Sequence, residues 1–281
     1  MKICLVPVCY NAHDDAVRFL DSVNTAFSFC LGVELEVILS DNSTLSSVIT
    51  FDARNYSYNF RYLQNSNIGY FPAFARALST LTEPIDSYDF VMVCNVDLVV
   101  SKDFFIALSS VSPGKDVGLI APGIFSDKDG RDLNPKIMRR PSLRKMKFMR
   151  MVCSSTALFR WYSMLVRARE RTRACTQRKI AKKRGGAIGG QPAMYGAHGS
   201  FIIFTQLYFK RGAHVLYPRF LFGEEVFVAE QLRLNNMLIQ HVPDVRVSDK
   251  EHASTSKIKL KFICPEHRKS YEYLLSKFFD D

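Results

Sequence analysis

Four runs in the first half of the chain, KICLVPVCY, ELEVILSD, DFVMVCNVDLVV and VGLIAPGIF, are of strand length and apolar almost without interruption. Between them stand AVRFLDSVNTAFSFCL, YFPAFARALSTL and KDFFIALSSV, whose apolar residues recur at helical spacing. A strand that is apolar on both faces cannot leave either one in water. Alternation with helices therefore predicts an α/β fold: a Rossmann-like, mostly parallel central sheet with helices on both faces. FRYLQN adds a short strand, closed by Asn67 and Gly69. Further on, AHGSFIIFTQLYFKRG reads as strand into helix, EEVFVAEQLRLNN as helix and LIQHVPDVRVSD as a late strand.

In open α/β sheets, ligands bind outside the carboxyl ends of the strands. That rule selects Tyr10 and Asn11, Asp41 to Ser43, and Asn95 to Asp97, and puts all three groups on one edge. Asp97 interrupts an apolar run, and desolvating a carboxylate is costly unless it is paired or bound to a metal. It reads either as a cap on the next helix or as an oxygen ligand for a divalent cation, Mg²⁺ or Mn²⁺. Asp41 ends its strand in a turn-forming cluster; it serves the turn, or it accepts from a nucleobase imide N–H. Glu224 and Glu225 open a helix. They complement the helix dipole, or they supply a general base and a partner that orients a hydroxyl. His252, after the last strand, is a solvated histidine or a ligand opposite Asp97.

Charge is unevenly spread. The chain carries +11, yet 17 Lys/Arg and one acid, Glu170, lie between Lys136 and Arg184, a local +16 that leaves the rest at −5. Seven cysteines show no CxxC spacing and several sit in apolar runs, which reads as reduced core cysteines of a cytosolic protein rather than disulfides or zinc ligands. The amino-terminal apolar run is too short for a signal peptide, and no uncharged run reaches the roughly 18–20 residues that span a bilayer. A composition that is 47% hydrophobic argues against disorder.

Taken in order, these motifs resemble the family 2 inverting glycosyltransferases of GT-A fold, nearest the rhamnosyltransferase-like bacterial branch that builds surface polysaccharides. VPVCYN resembles the family's opening strand, VILSDNSTLSS its nucleotide-contacting strand end, and NSNIGYFPAFARAL its Asn-x-Gly and helix. CNVDLVVSKDFF is similar to the metal motif, and FLFGEEVFVAEQLRLNN to the acceptor block. The likeness covers approximately residues 3–127 and 194–256. It implies that Pro7, Tyr10 and Asp41 flank the nucleobase and ribose, that Asn67 and Gly69 line the nucleotide pocket, and that Asn11 and Asn95 belong to the same donor-binding set. It implies further that Asp97 and, in some members, His252 hold Mn²⁺ or Mg²⁺. Glu225 would be the base and Glu224 would position the acceptor. Two departures stand out: Asn95 replaces the first carboxylate of Asp-x-Asp, and Glu225 replaces the more usual Asp.

The implied organisation is a nucleotide-sugar-binding half at 1–134, a basic amphipathic helical insert at 135–190, an acceptor-side half at 191–256 and a basic, aromatic tail at 257–281. The implied partners are a UDP- or dTDP-sugar donor and a glycan or polyprenyl-diphosphate-linked acceptor. The insert, with Phe148, Leu158, Trp161 and Met164 among its arginines, reads as a membrane-surface element over residues 140–184. Such an enzyme would sit in the cytoplasm, peripheral on the inner face of the membrane. The competing readings of the insert are a flap over the donor and a nucleic-acid patch, and no nucleic-acid motif accompanies the latter. For the whole chain the competing readings are a nucleotidyltransferase-like enzyme and a non-catalytic nucleotide- or RNA-binding protein.

Overall fold

The computed structural model describes residues 1–45, 51–52, 55–166, 194–250 and 260–279. In chain order the elements begin with β1 (Lys2–Cys9), α1 (His13–Ser28), β2 (Glu34–Asp41), β3 (Asn59–Gln64) and α2 (Tyr70–Leu78). They continue with β4 (Phe90–Asn95), β5 (Leu98–Val100), α3 (Phe104–Ser109), β6 (Val117–Ser126) and α4 (Leu143–Val152). After a helical stretch α5 at 156–166 come β7 (Phe201–Thr205), α6 (Gln206–Lys210), α7 (Glu224–Leu234), β8 (Leu238–Asp249) and α8 (Leu260–Leu274).

Eight strands form one sheet in the order β3-β2-β1-β4-β7-β6-β8-β5. The first four run parallel, β7 is antiparallel to both β4 and β6, β6 is parallel to β8, and β5 closes the edge antiparallel to β8. The mostly parallel sheet is thus as expected, with β7 inserted against the grain. The run DFVMVCNVDLVV is two strands. It breaks at Val96–Asp97, so that β4 lies at the centre of the sheet and β5 at its far edge.

Burial explains why the strands read as they do: every residue of β1 after Lys2 is buried. One face of α1 (Phe19, Leu20, Val23) packs into the same core as Ile3, Leu5, Met92 and Phe201. Each such side chain removed from water contributes about 1.5–3 kcal/mol.

The chain divides into two compact units. One is Met1–Arg140 with Met194–Lys257, and it holds the whole sheet. The other is Pro141–Ala193 with Ile258–Asp281. In the second unit α4 begins at Ser142, whose hydroxyl accepts from the Lys145 amide. The stretch expected as a carboxyl-terminal tail forms α8, which packs on α4. No helix among the described residues is long and apolar enough to cross a membrane.

Candidate functional site

Register brings the strand ends together. Cys9 lies opposite Asp41 across β1–β2, and Val8 lies opposite Asn95 across β1–β4, so the carboxyl ends of these three strands are level. β1 sits between β2 and β4, where the strand order reverses direction, and that is where α/β sheets open a crevice.

On the β2 side Asp41 is 1% exposed. Its Oδ1 accepts the Ser43 amide at 2.8 Å; its Oδ2 accepts the Tyr62 hydroxyl at 2.7 Å and lies 2.9 Å from Nε2 of His13. Burial by itself would raise the Asp41 pKa, but the bonds from Ser43, Tyr62 and His13 outweigh it and hold the carboxyl below its usual value. Its oxygens are therefore committed to internal partners. Asn11, at φ 50°, staples β1 to the turn after β2: its amide donates to Ser43 Oγ at 2.8 Å, and its Oδ1 accepts the amides of Thr44 and Leu45. Tyr10 beside it is 48% exposed. Pro7 is buried inside β1 opposite Cys94, two residues short of the strand end.

Asn67 stands half-buried in the turn that leads to Gly69. Gly69 has φ +97°, and a Cβ there would lie 2.3 Å from the Phe220 carbonyl oxygen, so only glycine fits. Its own carbonyl accepts from Asn42 Nδ2 at 2.9 Å, while the next amide, Tyr70 N–H, donates to Phe220 O at 3.0 Å. Gly69 and Tyr70 thereby join the end of β2 to the loop that precedes α7.

α7 starts from Gly223, which adopts a left-handed conformation at φ 89°. Glu224 is buried while Glu225 is partly accessible. Burial, then the neighbouring Glu225 charge, push the Glu224 carboxyl up to about 8, so it holds its proton at neutral pH. A Cβ on Gly199 would lie 3.1 Å from Glu225 Oε1, which shows how closely the loop before β7 fits that carboxylate. Tyr70 reaches the same loop, donating its hydroxyl to Gly199 O at 3.0 Å. Burial raises the Tyr70 pKa first, and Cys94, Glu224, Glu225 and Asp97 raise it further. Asp97 and the acid pair, far apart in sequence, thus all add negative charge around one phenol.

Asp97 is 7% exposed, between β4 and β5. Asn95 ends β4, its amide bonded to Ser200 O at 2.9 Å. The Asp97 carboxylate is a hard oxygen donor of the kind that Mg²⁺ or Mn²⁺ takes. His252 lies outside the described residues. Among the described residues, the group of three His, Cys, Asp or Glu side chains whose ligand atoms converge is not at Asp97: it is Cys9, His13 and Asp41, all within 4.8 Å of one another.

Sequence reasoning missed His13, Tyr62 and Tyr70. The first two look like ordinary residues until β3 and α1 are brought to Asp41. Tyr70 follows the Asn-x-Gly turn and could have been flagged for that position alone. It also missed Glu230, which is fully buried in α7 and bonded by Arg140 Nε at 2.6 Å, Tyr195 OH at 2.6 Å and Arg233 Nε at 2.7 Å. That network ties α7 to the strap at Tyr195 and Arg140.

This strand order, with polar groups gathered at the ends of β1, β2 and β4, is the GT-A glycosyltransferase fold. Known protein families give no match to the sequence, and neither do curated proteins. Solved structures do match. The 1–349 piece of S. aureus TarS superposes with a TM-score of 0.52 at 12% identity, covering 100% of this chain and 76% of that one. The same piece in complex with UDP-GlcNAc gives 0.50 at 12% identity, covering 99% and 71%. Against the longer TarS chain the score is 0.51 at 13% identity, over 89% of this chain and 36% of that one, so this chain spans about a third of its length.

Proposed function

We propose that this chain is an inverting glycosyltransferase that moves a sugar from a nucleotide-diphosphate donor to a glycan or lipid-linked glycan acceptor. One observation carries the reading: the Gly199–Ser200 loop bonds to Asn95 at the end of β4 and to the Tyr70 hydroxyl, and lies against the Glu225 carboxylate. Donor-side and acceptor-side groups around one loop are what a displacement at an anomeric carbon requires. The TarS structure in complex with UDP-GlcNAc supports a nucleotide-sugar donor; UDP- and dTDP-sugars are the candidates.

In this reading Asp97 and His252 would hold Mn²⁺ or Mg²⁺, which would neutralise charge on the departing diphosphate, with Asn95 beside them on the donor side. Glu225 is the base: it takes the proton of the attacking acceptor hydroxyl while the bond from the anomeric carbon to the diphosphate breaks, and configuration inverts. Glu224, protonated, donates a hydrogen bond that orients the acceptor. Tyr10 supplies an exposed ring for the nucleobase.

The second unit gives the proposal its setting. It holds 19 basic and 5 acidic residues, a charge of +14 that leaves the rest of the chain at −3. It exposes Phe148, Met151, Leu158, Trp161 and Met164. Apolar side chains among arginines suit an anionic membrane surface, and a lipid-linked acceptor in bacterial surface polysaccharide synthesis would lie there. Full-length protein should float with anionic liposomes at low salt and lose that binding when residues 140–184 are removed.

The decisive experiment is Glu225→Gln. Donor binding, found first in a thermal-shift screen of nucleotide sugars with and without Mn²⁺, should persist while transfer is lost. Unchanged turnover would eliminate Glu225 as the base.

A further inference from the structure

We propose that Cys9, His13 and Asp41 form a second cation site, one that takes zinc rather than Mn²⁺ or Mg²⁺. The thiol sulfur, imidazole nitrogen and carboxylate oxygen lie within 4.8 Å of one another. Around tetrahedral zinc, with metal–ligand bonds of about 2.0–2.3 Å, ligand atoms stand roughly 3.3–3.8 Å apart. The cluster reaches that geometry without any separation closing by more than about 1 Å, while His13 Nε2 to Asp41 Oδ2, at 2.9 Å, opens slightly.

The donor set decides the metal. A thiolate and an imidazole are poor ligands for hard cations but suit zinc, and three protein ligands leave a fourth position open to water or an incoming group. Asp97, by contrast, offers only oxygen.

The scaffold is rigid and largely built. Cys9 closes β1, Asp41 closes β2 in register with it, and His13 is the first residue of α1. Cys9 and Asp41 are buried at 0% and 1% exposure, and the His13 side chain, at 13%, gives the way in. Around the ligands stand the groups that orient metal-binding carboxylates in established sites. The Ser43 amide and the Tyr62 hydroxyl hold Asp41, and Ser43 Oγ lies 3.9 Å from Cys9 Sγ. Without metal, His13 bonds to Asp41 and the buried thiol keeps its proton, its pKa pushed up to about 12 chiefly by burial. Metal entry displaces the thiol proton to solvent and trades the His13–Asp41 bond for two ligand bonds. The family resemblance puts Asp41 beside the donor's base, so zinc held there should compete with nucleotide; this consequence alone rests on the glycosyltransferase reading.

The test is a Co²⁺ titration of the reduced, tag-free full chain, read as the near-ultraviolet thiolate-to-cobalt band, followed by displacement with Zn²⁺. One equivalent of Co²⁺ should raise the band and one of Zn²⁺ should remove it. Cys9→Ser should abolish the band. Because Cys9 is buried, two more accessible positions guard against a folding artefact: His13→Gln and Tyr62→Phe should still melt cooperatively in the absence of metal, each a few degrees lower for the lost bond to Asp41, and weaken Zn²⁺ binding at least about tenfold. No band in the wild type, or a band that survives Cys9→Ser, overturns the site. UDP binding that Zn²⁺ leaves unchanged overturns the competition while leaving the site standing. Absence of any nucleotide binding counts against the glycosyltransferase reading alone.

Discussion

The Tyr70 hydroxyl donates a 3.0 Å hydrogen bond to the carbonyl of Gly199, the residue whose missing side chain makes room for the Glu225 carboxylate. α2 is thereby tied to the loop that borders the acid pair, while the Tyr70 amide is tied to Phe220. Tyr70→Phe removes only the hydroxyl bond. A single neutral hydrogen bond is worth about 1 kcal/mol, so the fold should survive. A small displacement at a reacting carboxylate costs far more, and transfer should fall about tenfold or more. Calorimetry with UDP should show nucleotide affinity unchanged; an equal loss in both would place Tyr70 in donor binding instead.

Glu224 makes stability depend on pH. Its usual value of 4.5 applies to the unfolded chain, and in the folded protein it is raised to about 8. Between those values the folded state keeps a proton that the unfolded chain releases, so this contribution is full below about pH 4.5 and is lost as pH rises through 8. Glu224→Gln removes the dependence. Melting curves of the two proteins should nearly coincide at acidic pH and separate at alkaline pH, with the variant the more stable there.

Gly69→Ala should be among the most damaging small changes. The new methyl would meet backbone atoms of Phe220 at 2.3–2.8 Å, and φ +97° is unfavourable for alanine. Strain of this kind costs on the order of 1–3 kcal/mol before any shift of the 220 loop. Urea titration should show a lowered midpoint with an unchanged slope. Wild-type stability would mean that the two loops are not held this close.

Glu230 lies under two arginines whose side chains are 41% and 45% exposed. Glu230→Ala leaves Arg140, Arg233 and Tyr195 without their shared acceptor and should cost about 2–4 kcal/mol. Glu230→Gln, which keeps an acceptor oxygen, should lose less. The two unfolding midpoints, compared at one pH, test the order.

Much of the sheet was legible because its strands are buried on both faces, and buried strands write themselves as unbroken apolar runs. β1, β2 and β4 could be placed, and the strand-end rule pointed at Asp41, Asn95 and Asp97 without any geometry. Two facts were out of reach. The run that contains Asp97 splits into strands at the centre and the far edge of the sheet, a division made by pairing with β8. The carboxyl-terminal stretch packs as α8 on α4, although nothing in its mixed composition distinguishes it from a tail.

The site divides along the same line. Local pattern was enough to establish that carboxylates end apolar strands and that an acid pair opens a helix, because desolvation and helix polarity act within a few residues. Which carboxylates are free to act was settled by distant residues. Tyr62 and His13 occupy Asp41, burial under the packed fold raises Glu224 more than its neighbour Glu225 does, and Tyr70 links Gly199 to Phe220. The scattered cysteines show the contrast most plainly: by spacing none suggested a ligand, yet β1–β2 register and the start of α1 set Cys9 beside His13 and Asp41. Sequence determines which groups must be buried, but only the pairing of strands determines which groups are buried together.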